Sequence, residues 1–307
     1  MFNMTSKRSD VEKRHIKGTR KRQFRDWSVF TAYLLPSAAG VALFFILPLI
    51  MLAYSSTMRS TTSDVFVGLD NYTRVLENKA FLLAAKNTLL FSAMAVPLSV
   101  LLALLLALML NTKLPGRSWF RSVLLNPMMV PVASVVLIWQ VFFSFNGSLN
   151  SFLGGFGADK IDWMKSDWSR LVILLLFIWK TLGYNMVLFL SALNNVPTEL
   201  IDSAKMDGAG SVRRFFSVST VYILPTVFFV GIMSLVNSFK IFREVYLLTG
   251  SYPVDALYLL QHFMNNAFQN LDYQKLSSAA IIMFIAMVII VGILFLVESR
   301  LDSEVEE

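Results

Sequence analysis

Two short polar sets stand inside runs that otherwise lack charge. Lys180, Tyr184 and Asn185 fall within Leu171 to Asn194, and Asn237, Ser238 and Lys240 close a run that begins at Phe215. Lys180 and Tyr184 are one helical turn apart and share a face, with Asn185 beside them; Asn237 and Lys240 share another, with Ser238 adjacent. Tyr184, Asn185, Asn237 and Ser238 together supply hydroxyls, amides and a flat aromatic surface, groups able to hydrogen-bond and stack against a polar ligand. Both lysines also have a plainer reading. Lys180 snorkels or pairs with a neighbouring subunit, and Lys240, nearer a helix end, snorkels to the outer interface. Arg243 and Glu244 read as a solvated pair.

Bond-breaking chemistry finds little to work with. There is no cysteine, and the only histidines are His15 and His262, so a thiolate catalyst, a disulfide framework and a histidine-rich metal centre are excluded. Neither G-x-x-x-x-G-K-[ST] nor H-E-x-x-H occurs. No carboxylate, single or paired, is placed inside an apolar run. The chain therefore reads as no enzyme, binds no cofactor of its own, and cannot hydrolyse ATP itself.

The elements that must position these groups are membrane spans. Of 307 residues, 56% are hydrophobic and only 15% charged, with a mean hydropathy of +0.61; a soluble chain carries about 25% charged residues. A helix rises about 1.5 Å per residue and needs about 20 apolar residues to cross roughly 30 Å of hydrocarbon. Six windows qualify, predicting spans at about 29–55, 87–111, 122–145, 171–193, 217–240 and 276–297. The expected fold is an all-α membrane protein: a six-span domain over 27–300, between a basic tail at 1–26 and an acidic tail at 301–307.

Lys and Arg fix the orientation, because they are retained on the cytoplasmic face. Lys7, Arg8, Lys13, Arg14, Lys17, Arg20, Lys21, Arg22 and Arg25 precede the first span. Lys113, Arg117 and Arg121 follow the second, and Lys205, Arg213 and Arg214 follow the fourth. Both termini are therefore expected inside the cell, with 56–80, 146–170 and 245–275 outside. The basic tail has interspersed acids and no room for a recognition module, so it reads as a contact with anionic lipid and not with nucleic acid. The first apolar run is too long for a cleaved signal peptide and is expected to remain as a span. Trp27, Trp119, Trp163 and Trp168 fall at the interfaces. Tyr258, Leu259, Phe263 and Phe268 suit a helix over the outer mouth, with His262 structural there.

The loop after the fourth span is more than a linker. Pro197 to Phe216 reads as a helix-turn-helix: Thr198 as cap, Glu199 and Asp202 in the first turn, and Leu200, Ile201 and Ala204 on an apolar face. Asp207, Gly208, Ala209 and Gly210 then break the helix, Ser211 restarts it, and Val212, Phe215 and Phe216 follow at helical spacing. Such a unit suits docking into a groove on a soluble partner; the same pattern also suits a segment lying on the lipid surface.

The run from Glu199 to Gly210, then Phe215, resembles the E-A-A loop of permease subunits in binding-protein-dependent ABC importers. Asp202-Ser203-Ala204 occupy the signature positions, so glutamate has become aspartate and the first alanine serine, while Asp207-Gly208-Ala209 is intact. Thr220-Val221 stands where the family usually has Leu-Pro, and Pro225 follows a turn later. Further segments are similar to the carbohydrate branch, the maltose-type and glycerol-phosphate-type permeases. These are Gly68-Leu69-Asp70-Asn71-Tyr72, Asn87-Thr88, Trp119-Phe120-Arg121, Pro127, Pro131, Trp139, Gly147, Asn150, and Leu248 to Pro253, in order over about 30–300.

The resemblance implies a permease subunit of the cell membrane that imports a sugar or oligosaccharide. It implies a second permease as heterodimer partner, an ATPase pair holding ATP and Mg, an extracellular solute-binding protein, and substrate contacts near Thr181, Tyr184 and Ser238. The loop residues Glu199, Asp202, Ala204, Asp207, Gly208, Ala209 and Phe215 would then receive the ATPase. Two alternatives remain at this point. Lys180 and Lys240 would suit a glycerol-3-phosphate or acidic-sugar importer, and an ion-coupled secondary transporter would need no ATPase.

Overall fold

The computed structural model describes residues 30–31, 33–60, 65–112 and 115–306. The basic tail, His15, Trp27 and Lys113 lie outside them. Lipid offers no partner for backbone N–H and C=O groups, so a chain this apolar must satisfy them within helices. The described residues are nearly all helical, and their only β pairing is an isolated antiparallel bridge between Met58 and Phe66.

Six helical stretches are long and apolar enough to cross a membrane: Tyr33–Ser56, Lys79–Leu110, Val132–Gly154, Ser169–Asn194, Ser211–Thr249 and Tyr273–Leu301. In chain order, α1 is Tyr33–Ser56, α2 Asp70–Leu76, α3 Lys79–Leu110, α4 Arg117–Met129, α5 Val132–Phe143 and α6 Ser148–Gly154. They are followed by α7 Ser169–Asn194, α8 Thr198–Met206, α9 Ser211–Arg214, α10 Thr220–Lys240, α11 Phe242–Thr249, α12 Leu260–Gln269 and α13 Tyr273–Glu306.

Two boundaries differ from the sequence reading for identifiable reasons. The second span begins eight residues before Asn87, because the Asn78 side chain caps α3 by accepting from the N–H groups of Ala80 and Phe81. The run expected as one helix over 122–145 is two. Pro131 disfavours the helical region for the residue before it, and Val130 is extended at φ −74°, ψ 130°. α4 thus ends at Met129 and α5 starts beyond the proline.

The centre of the bundle is the packing of α3 on α7. Ala95, Ser99, Ala103 and Ala107, each four residues on from the last, are all fully buried. This stripe of small side chains lets the larger ones of α7, among them Phe177, Met186, Phe189 and Leu190, close against the α3 backbone. On another side of α7, α4 comes as near. A Cβ added at Gly183 would lie 1.8 Å from the Leu124 carbonyl oxygen, so no other residue fits there without moving a helix. α10 packs on α3 and α7, and α13 packs against α1, α2 and α12.

Candidate functional site: a charged cavity between the fourth and fifth spans

A cavity of about 260 Å³ opens where α7 meets the junction of α10 and α11. It gathers Lys180, Thr181 and Tyr184 from α7 with Asn237 and Lys240 from α10, five of the seven pathway residues expected from sequence, together with Phe177, Arg243 and Glu244. Chain geometry explains the grouping. Lys180, Thr181 and Tyr184 lie within one turn of α7, and α10 bends into α11 at Ile241, presenting Lys240 and Glu244 from either side of the bend.

Asn185 and Ser238 sit elsewhere. Both are almost fully buried in the helix packing and face neighbouring helices. The Asn185 side-chain amide donates to Ser99 Oγ at 3.0 Å and to Ser234 Oγ at 2.9 Å, tying α7 to α3 and α10. Ser99 Oγ in turn lies 3.1 Å from Thr181 Oγ1, and Ser92 Oγ 2.7 Å from Ser238 Oγ. A polar seam therefore runs behind the cavity wall. Its hydroxyls are bonded to one another or to the Asn185 amide nitrogen, which keeps their burial inexpensive, while the buried Asn185 Oδ1 has no hydrogen-bond partner among the described residues.

The expectation of a solvated Arg243–Glu244 pair is corrected. Glu244 is buried and forms an ion pair with Lys180, which bridges α11 to α7 across 64 residues of sequence. Glu244 lies just past the expected fifth span of 217–240, within the long apolar helical stretch Ser211–Thr249. The pairing has a physical cause: a lone buried ammonium and a lone buried carboxylate are each costly, and each removes the other's penalty. Arg243, one residue earlier on the helix, points to an exposed position.

The segments between the spans are pinned by asparagines. Asn150 is buried; its amide nitrogen donates to the carbonyls of Phe145 and Ile161, and its Oδ1 accepts from Ile161 N–H and Trp163 Nε1. Asn71 donates to the carbonyls of Ser56 and Met58 at 3.0 and 2.8 Å. Asn87 accepts from Arg170 at 3.1 Å and donates to the Tyr258 carbonyl at the same distance, and Thr88 accepts from Leu260 N–H. His262 is fully buried in the first turn of α12, where Nδ1 accepts from Leu259 N–H and the Phe242 ring meets it edge-on. Burial lowers its pKa to about 4, so it is neutral near pH 7. No group of His, Asp and Glu able to hold a metal occurs among the described residues.

The expected helix-turn-helix is present as α8 and α9. Thr198 is not its cap: Pro197 takes that position, and no side-chain cap bond forms. The stop is a Schellman motif, with Ala209 N–H on the Ala204 carbonyl at 2.9 Å and Gly208 N–H on the Lys205 carbonyl at 3.0 Å. It requires the left-handed conformation at Gly208, which has φ +76°. Glu199, Asp202, Asp207, Met206 and Val212 are exposed, and Phe215 is half-buried. α9 does not stop before the fifth span but runs into it through a π-helical turn, Phe215–Ser219.

The family described as binding-protein-dependent transport system inner membrane component matches residues 95–306. The trehalose/maltose transport system permease protein MalF of Thermococcus litoralis is 29% identical over 272 residues, covering 87% of this chain and 92% of its own length. The sn-glycerol-3-phosphate transport system permease protein UgpA of Yersinia pestis is 31% identical over 266 residues, covering 85% and 89%. A chain of a bacterial alginate ABC transporter, solved in complex with alginate pentasaccharide-bound periplasmic protein, shares the fold. It aligns with a TM-score of 0.81 at 22% identity, over 92% of this chain and 97% of that one. The extent of the family match and the six spans together make the conclusion plain: this multi-pass membrane protein belongs to the binding-protein-dependent transport system inner membrane components, the permease subunits of ABC importers.

Proposed function

We propose that this subunit carries a sugar or oligosaccharide inward through the cavity between α7 and α10. The observation that carries the reading is the cavity's own chemistry: Tyr184 supplies a flat ring and a hydroxyl, Thr181 a hydroxyl and Lys180 an ammonium from α7, and Asn237 an amide from α10. The sugar and glycerol-phosphate names of the relatives agree with it. Specificity is shared with a second permease and with an extracellular solute-binding protein, and the chain works in the cell membrane.

Both termini and the 197–216 loop lie on the cytoplasmic side in this reading, which the basic residues before the first span and after the second and fourth support. There α8 and α9 seat in an ATPase subunit that holds ATP and Mg; this chain supplies no phosphate-binding loop. ATPase closure pushes on Glu199, Asp202, Ala204, Asp207, Gly208, Ala209 and Phe215, and the push tilts α10 so that the cavity opens to alternate sides. The test uses the reconstituted assembly in proteoliposomes. Gly208→Pro, which cannot take positive φ, and Asp207→Lys are each expected to leave the subunit in the membrane while ATP hydrolysis no longer drives uptake. Unchanged uptake in both would remove the loop from the mechanism.

A further inference from the structure

Force applied at the tip of a loop is useful only if the tip is stiff. The tip here, Asp207 to Gly210, is a turn with one glycine at positive φ and another in extended conformation at φ −67°, ψ 167°. Such a turn would flex on its own. Ala209 at its centre is held from both sides. Its N–H closes back onto the Ala204 carbonyl of α8, and its carbonyl accepts from Arg214 Nη1 at 2.8 Å. Arg214 Nη2 also donates to Ser211 Oγ at 3.2 Å, at the first turn of α9. Arg214 is half-buried, whereas its neighbour Arg213 is exposed.

Directly behind Arg214 the helix changes character. Phe215–Ser219 is a π-helical turn, in which the Phe215 carbonyl accepts both the Thr220 N–H and the Thr220 hydroxyl, the latter at 2.9 Å. A π-helical turn fits one surplus residue into the helix, and such turns concentrate at functional sites. A cross-braced tip is thus followed by a locally irregular joint and then by the long regular helix α10.

We propose that Arg214 is the positioning residue of energy coupling. Its guanidinium braces the turn through Ala209, so displacement of α8 is passed to α9 and α10 instead of being absorbed at Gly208 and Gly210. Arginine suits the task, because its planar fork donates in two directions at once and keeps its charge at any working pH. The proposal rests on the reading of this loop as the ATPase seat.

The experiment measures, in the complete reconstituted transporter, substrate moved per ATP hydrolysed, alongside hydrogen exchange at the amides of 207–211. Arg214→Ala is expected to lower the transport-to-hydrolysis ratio about fivefold or more, in the range of ordinary coupling energies. Exchange at 207–211 should rise while the ATPase stays bound. An unchanged ratio overturns the proposal. So does a lowered ratio with unchanged exchange, since Arg214 would then be touching the partner directly. If the alanine variant does not assemble, Arg214→Lys decides by the same two readouts: its single ammonium should give intermediate values of both, and a lowered ratio with wild-type exchange overturns the brace. Gly208→Pro in parallel separates the levels. Full uptake in that variant sinks the loop as a coupling element, whereas loss there with a normal Arg214→Ala sinks the brace alone.

Discussion

Among the described residues, two lysine–carboxylate pairs stand in very different settings. Lys205 and Asp202 meet at 2.6 Å on the open face of α8, three residues apart, with side chains 51% and 66% exposed. Lys180 and Glu244 meet between α7 and α11, with side chains 20% and 6% exposed. In water the first pair gains little, because solvent screens it and two long side chains must be held still. The second is largely shielded from solvent, so each group depends chiefly on the other. The wider regions follow the same division. The loop is built from bonds spanning three to five residues, whereas the cavity wall is built from contacts between helices far apart in sequence, such as Ser92 with Ser238 and Ser99 with Asn185. The loop is therefore a locally folded unit, and the cavity is a tertiary product of the whole bundle.

The sharpest way to break this contrast is Glu244→Gln. Removing one member of a buried pair leaves the other charged and unpaired, at a cost of about 3–5 kcal/mol. A marked fall in the melting temperature of the purified subunit is expected, with transport lost alongside. Replacing both, as Lys180→Met with Glu244→Met, should recover most of that stability, because two apolar groups of similar size leave nothing unsatisfied. If the single variant melts like the wild type, the pair is solvated after all and the distinction between the two regions collapses.

That pair also shows where sequence reasoning ran out. Lys180 is visible as a charge nine residues into an apolar run, yet nothing near it in sequence supplies a counter-ion. Its partner lies beyond the end of the expected fifth span, in a helix the chain reaches only by bending at Ile241. The loop was legible because its signals are local: acids in a first turn, Asp207-Gly208 as a stop, and apolar residues at helical spacing. Even there the cap was misplaced, since Pro197 forms the boundary that Thr198 suggested by type. The break at Pro131 was open to the rule that a residue before proline leaves the helix, but a long apolar run read as one span obscured it. The small-residue stripe on α3 carries a readable four-residue spacing; what it packs against does not follow from that spacing, because any face of any neighbouring span could have met it.

A middle-sized effect tests the seam behind the cavity. Asn185→Ala removes the donor that Ser99 and Ser234 share, and bonds between membrane helices are worth about 0.6–2 kcal/mol. A melting shift smaller than that of Glu244→Gln is expected, with the transport-to-hydrolysis ratio near wild type, since Asn185 faces the packing and not the cavity. A selective loss of substrate affinity with normal melting would instead move Asn185 into the binding wall.

The smallest expected effect on stability belongs to the exposed pair, and it discriminates best between folding and contact. Asp202→Asn removes a pair worth about 0–1 kcal/mol and leaves the Schellman stop of α8 untouched, so the melting temperature should barely move. The same carboxylate stands where the resembling loops carry glutamate, on a face left exposed among the described residues. Uptake should therefore fall although stability does not, and Asp202→Glu, which restores the usual residue with its charge, should keep uptake. Melting and uptake thus separate here, whereas at Glu244 they fall together. A variant at Asp202 that lost stability and uptake in step would show that the loop is held by its surface charges, and its separation from the buried region as a contact element would no longer stand.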